Sequence, residues 1–177
     1  GTPQQSGRAL DVTINGAGFF QIEMPDGTTG YTRDGSFQID AQGRMVTNSG
    51  YPLTAGITVP AETESITISA DGIVSAKLAG QTAPQQVGQI ELANFINPPG
   101  LEPLGQNLYR ESVASGAPIA SAPGATGMGH LMQGYTEASN VNVVQELVDM
   151  IQTQRAYEMN SKAIQTSDQM LQRLSQL

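Results

Sequence analysis

Four glycines, each preceded by Asn or Asp, punctuate the first half of the chain: Asn15-Gly16, Asp26-Gly27, Asp34-Gly35 and Asp71-Gly72. Such pairs tolerate the positive φ that tight reversals demand, so the chain must turn back on itself at short intervals. The runs between them are short and rich in alternating apolar residues: 11–14, 19–24, 31–33, 36–40, 44–47, 65–69, 73–78 and 87–93. Short strands separated by closely spaced turns predict a mostly antiparallel β domain. The segment Asn15–Gly18 is expected to be the loop of a hairpin joining the first two strands.

Composition changes along the chain and sets the domain boundaries. Residues 1–7 (GTPQQSG) are polar and read as an extended lead-in, and the β domain is expected over 8–108. Residues 112–129 (SVASGAPIASAPGATGMG) are dominated by Ala, Gly, Ser and Pro. That composition has too little apolar mass for a core of its own, so 109–138 is read as an extended connector. From 139 to 177 the pattern becomes helical. Asn142 and Gln145 fit an N-cap and its reciprocal partner, and no Pro or Gly occurs from Val143 to Leu177. A helix of that length reaches about 52 Å, well past a β domain about 30 Å across. The expected fold class is therefore mainly β with a long, projecting C-terminal α-helix.

What that helix packs against is the functional question. Val143, Met150, Tyr157, Ile164 and Leu171 recur every seven residues, and Leu147, Val148 and Ile151 widen the stripe at its start. Ala156 and Ala163 permit close approach, while the positions three after the main line are Glu146, Thr153, Asn160, Ser167 and Leu174. A simple two-stranded coiled coil places Leu there, so the pattern suits a helix surrounded by several others. The candidate assembly interface is Val143, Leu147, Met150, Ile151, Tyr157, Asn160, Ile164, Leu171 and Leu174. The competing reading folds the helix back along its own β domain, and its length argues against that.

Equipment for chemistry is sparse. There is no cysteine, which excludes disulfides and thiol catalysis, and His130 is the single histidine. One histidine in a Gly- and Met-rich stretch reads as a solvated loop residue rather than a general base. Asp26, Asp34 and Asp71 each precede glycine and are explained as turn formers. The turn from Asp40 to Gly43 lacks the further acidic ligands of a calcium loop. Phe19, Phe20 and Phe37 read as core. No catalytic, metal-binding or cofactor-binding residue is assigned, and no cofactor is expected.

The net charge of −8 sits mainly in the first 138 residues, with 12 acids and 5 bases, against 4 acids and 3 bases over 139–177. An acidic body argues against nucleic acid, whose phosphates require clustered cations. No apolar run is long enough to span a bilayer, so no direct membrane insertion is expected. No secretory signal is expected from the residues at the start of the sequence.

The stretches ALDVTINGAGFFQI (9–22) and YTRDGSFQIDAQGRMVTNSGYPL (31–53) resemble the flagellar rod and hook protein family of bacteria, as does the tail SNVNVVQELVDMIQTQRAYEMNSKAIQTSDQMLQRL (139–174). FINPPGLEPLGQNLYRES (95–112) narrows the resemblance to the distal rod branch; the proximal rod and the hook are the alternatives within the family. The resemblance implies a non-enzymatic subunit, exported through the flagellar export apparatus, that polymerises helically into a hollow axial tube. It further implies a tube crossing the periplasm as a drive shaft. Its partners would be other copies of the chain, proximal rod proteins, the hook protein, and the peptidoglycan-layer and outer-membrane ring proteins. Family members begin with an N-terminal helix that pairs with the C-terminal one, and no counterpart of it stands in this sequence. The remoter alternative is an extracellular carbohydrate-binding or hydrolytic β module, which five Tyr, four Phe and no Trp make a poor fit.

Overall fold

A computed structural model of the chain describes residues 2–138. They form fifteen strands: β1 (Pro3–Gln5), β2 (Val12–Asn15), β3 (Phe19–Glu23), β4 (Thr29–Thr32), β5 (Gln38–Ile39), β6 (Met45–Val46), β7 (Thr63–Ile68) and β8 (Ile73–Leu78), followed by β9 (Gln85–Gln89), β10 (Leu92–Asn94), β11 (Glu102–Gly105), β12 (Leu108–Arg110), β13 (Ile119–Ser121), β14 (His130–Gln133) and β15 (Tyr135–Glu137). The one helical element among the described residues is a 3-10 turn, Pro98–Gly100.

Every strand pair is antiparallel, as the turn spacing predicts. The largest sheet has six strands in the order β11-β12-β4-β3-β10-β13, and a three-stranded sheet runs β7-β8-β9. Three two-stranded ribbons complete the body: β14 with β2, β5 with β6, and β1 with β15. Alternation along β3 explains the central position of that strand. Phe20 and Ile22 are fully buried, whereas Phe19 and Gln21 are half-buried on the other face.

The core gathers one side chain or two from nearly every strand. Val12 and Ile14 meet Phe20, Ile22, Phe37, Met45, Leu53, Ile57, Val74, Leu92 and Leu131 in a continuous cluster. Phe20 and Phe37 pack edge to face, with ring centroids 5.1 Å apart and planes at 90°. A second cluster forms where Tyr31, Ala93, Phe95 and Leu101 meet Phe19 and Tyr109.

Three expectations are corrected. The expected fold class joined a β domain to a long C-terminal α-helix through an extended connector. The described residues contain strands and one 3-10 turn, with no α-helix, and the helix expected over 139–177 lies outside them. Residues 109–138 are also no free connector. They carry the end of β12 and all of β13, β14 and β15, and Leu131 enters the core. An apolar-mass argument fails there because the segment builds no core of its own. It adds strands to sheets begun elsewhere, for which one buried leucine and satisfied backbone groups suffice.

The third correction concerns Asn15–Gly18. β2 pairs with β14, whereas β3 pairs with β4 and β10, so the segment is a crossover between sheets and not a hairpin loop. Its two glycines are needed for a different reason. Gly16 and Gly18 hold φ of 129° and 124°, and a Cβ on Gly16 would lie 2.7 Å from the Gly129 Cα, where two backbones cross.

One buried polar atom stands out. Thr13 Oγ1 is enclosed and has no hydrogen-bond partner among the described residues. Thr13→Val removes that unsatisfied hydroxyl at nearly constant shape. It is expected to raise stability by about 1 kcal/mol, read as an increased urea midpoint with unchanged m-value.

Candidate functional site

The nine residues of the candidate assembly interface, Val143 to Leu174, lie outside the described residues. The body instead shows the element from which that segment departs. β15 runs directly into residue 139 and pairs with β1, placing Glu137 opposite Pro3, Thr136 opposite Gln4 and Tyr135 opposite Gln5. The Ala138 amide donates to the Thr2 carbonyl at 2.8 Å, and the amides of Ser6 and Gly7 donate to the Gly134 carbonyl at 2.8 and 3.2 Å. No residue of this ribbon is fully buried.

Arg33, just after β4, links the ribbon to the body. Its Nη1 donates to the Gly16 and Gly18 carbonyls at 2.7 and 2.8 Å, and its Nη2 donates to the Ile14 carbonyl at 3.0 Å. Its Nε donates to Oε2 of Glu137 on β15 at 3.0 Å. The sequence marks Arg33 only as the residue before an Asp-Gly turn. Its partners lie up to 104 residues away, and no local pattern signals them.

The turn-forming carboxylates are occupied as the sequence suggests. Asp26 accepts from the Thr28 hydroxyl and amide, and these bonds hold its carboxyl below the usual value. Asp34 accepts from the Ser36 amide, and Asp71 from the Ser69 hydroxyl. At Asp40, desolvation is the largest influence and pushes the pKa up. It is outweighed by bonds from the Arg44 amide, the Arg44 Nε at 2.8 Å and the Gln42 amide, leaving the carboxyl lowered. His130 is a strand residue, exposed on β14 opposite Asn15, rather than a loop residue.

A shallow groove of about 510 Å³ is lined by Leu10, Ile39, Val59, Pro60 and Ile66, with Asp40 and Glu64 at its edge. Those two acids are already paired, with Arg44 at 2.8 Å and Lys77 at 3.6 Å. Among the described residues no group of three or more His, Asp or Glu side chains is placed to hold a metal ion.

All five cations of the described body are ion-paired: Arg8 with Asp11, Arg33 with Glu137, Arg44 with Asp40, Lys77 with Glu64 and Arg110 with Glu102. The body thus presents an anionic surface without a cationic patch, which disfavours a phosphate backbone as ligand. Ile96, Val113 and Ile119 are its most exposed large apolar side chains.

Residues 13–76, from β2 into β8, match the family described as flagellar hook protein FlgE/F/G D1 domain. Residues 132–177, from β14 onward, match flagellar basal body rod FlgEFG protein C-terminal. The flagellar basal-body rod protein FlgG of Buchnera aphidicola subsp. Acyrthosiphon pisum is 57% identical over the whole chain, which spans 68% of that relative. The chain belongs to the FlgE/F/G family of flagellar rod and hook proteins. Within this family, FlgG of Caulobacter vibrioides is 54% identical over all of the chain and 68% of its own length. FlgF of Escherichia coli is 33% identical over all of the chain and 71% of its own length. As an FlgE/F/G protein the chain is located in the flagellar basal-body rod and works among rod and hook proteins by self-assembly.

Proposed function

We propose that the chain is a structural, non-enzymatic subunit of the distal part of the flagellar rod, polymerising helically into a hollow shaft. The shaft passes motor torque to the hook and carries the export channel. The observation that carries this reading is 57% identity to a rod protein FlgG across the full chain, against 33% to FlgF. The gap favours the FlgG position over other rod positions. An anionic, all-antiparallel body whose five cations are all ion-paired suits a building unit.

Proximal rod proteins below, the hook protein above and the peptidoglycan-layer and outer-membrane ring proteins around the shaft are the partners in this reading. The export apparatus delivers the subunit. Contacts between subunits run through the segment carrying Val143, Leu147, Met150, Ile151, Tyr157, Asn160, Ile164, Leu171 and Leu174. Electron microscopy of the chain extended to the length of its relatives tests this. Straight hollow tubes of constant diameter are the expected result. Failure to form tubes at any concentration, with the β body folded, overturns the reading.

A further inference from the structure

The ribbon β1–β15 has an unusual energetic standing. It contains no fully buried side chain, and a two-stranded ribbon is marginal in water without packing support. Yet β15 is the covalent route from the body into residues 139–177. Backbone bonds at Gly134 tie one end of it down: the Gly134 amide donates to the Asp11 carbonyl at 2.7 Å. At the other end, next to residue 139, Arg33 ties to Glu137, with the two side chains 27% and 17% exposed.

The chemistry of that tie is well matched to a clasp. A guanidinium presents its N–H donors in a fixed plane, and here four bonds use them. Three go to the carbonyls of Ile14 in β2 and of Gly16 and Gly18 in the β2–β3 crossover, where the backbones of Gly16 and Gly129 approach closely. The fourth is charge-assisted, half-sheltered from solvent, and goes to the ribbon. A rigidly anchored cation thus holds the end of a weakly packed strand.

We infer that Arg33 is a positioning residue, a clasp fixing the β1–β15 ribbon to the β body. The inference rests on the rod-subunit reading for its purpose, because a subunit of a torque-bearing shaft needs its outermost strands held to its body. Its geometry is independent of that reading.

Amide hydrogen exchange on the unassembled, full-length chain tests the clasp. Glu137→Gln keeps the size of the side chain and the three carbonyl bonds of Arg33, but removes the charge. The amides of Ala138, Ser6 and Gly7 are expected to exchange about 5- to 10-fold faster, while those of Phe20 and Val74 in the core keep their rates. Arg33→Lys retains a cation that cannot form the same fork, and should produce a similar change at the ribbon. The double variant should change ribbon exchange by less than the sum of the two single variants, since both remove the Arg33–Glu137 bond. Unchanged ribbon exchange in Glu137→Gln, or additive effects in the double variant, overturns the inference. Tubes formed from Glu137→Gln should keep the wild-type diameter and show greater curvature. Absence of tubes in wild type would count against the rod reading, while the exchange result would still decide the clasp.

Discussion

Gly35→Ala is expected to lower the stability of the β body by about 3–5 kcal/mol, a large part of the 5–15 kcal/mol of an ordinary domain. A Cβ at this position would lie 1.6 Å from the Val12 carbonyl oxygen, 2.8 Å from its carbon and 3.0 Å from Cε2 of Phe20. Neither backbone can retreat. The Val12 amide donates to the Gly35 carbonyl at 2.9 Å, and Asp11 bridges Ser36 beside it. On its other side Val12 pairs with Gln133 in β14. Relief of the clash must therefore break a strand contact or displace Phe20 from the core. Thermal unfolding should show the midpoint falling by roughly 15 °C. Gly50→Ala is the control: φ there is 90°, but no atom lies within 4 Å, so only backbone strain of about 1 kcal/mol is expected. Equal shifts for the two variants would mean that the strands do not approach as described.

The same glycine shows what the sequence could and could not reveal. Asp34-Gly35 reads like Asp26-Gly27 and Asp71-Gly72, and the latter two glycines do hold positive φ, at 87° and 92°. Gly35 is not among the positive-φ glycines; it is required because Val12 passes too near for any side chain. A dipeptide signals local torsion, whereas a close approach belongs to the partner strand. Strand positions follow the first kind of information. The run Ile73–Leu78 appears in the structure with the same bounds, and Phe20 and Phe37 are buried as their pattern suggests.

Pairing follows the second kind. β2 pairs with β14, and β1 with β15, across almost the whole body, so nothing within either member's neighbourhood names its partner. Residues 119–137 look like linker for that reason: Leu131 is their single fully buried large side chain, and their strands pair with β10, β2 and β1, each begun elsewhere in the chain. The clasp is hidden in the same way, since Arg33 and Glu137 become neighbours only once β15 has docked. Function was legible through the family's strand and tail motifs, while the residues proposed to join subunits lie outside the described part of the chain.

Those residues carry the second large effect. Ile164→Asp or Leu171→Asp is expected to abolish tube formation at concentrations where wild type assembles. Val143, Met150, Tyr157, Ile164 and Leu171 recur at a fixed interval of seven in a segment matched throughout by the family's C-terminal description. If neighbouring subunits cover this line, a carboxylate placed in it is desolvated without a partner, at a cost of several kcal/mol. The contact recurs at every subunit, and each 1.4 kcal/mol raises the concentration needed for assembly about tenfold. A penalty of about 3 kcal/mol therefore shifts the threshold more than 100-fold. Gln165→Asp adds the same charge one position away from the line and should move the threshold less than tenfold. Sedimentation of polymer across a dilution series of the full-length chain measures each threshold. Equal behaviour of Ile164→Asp and Gln165→Asp would show that charge, and not burial of the apolar line, governs assembly, and the proposed interface would then be wrong.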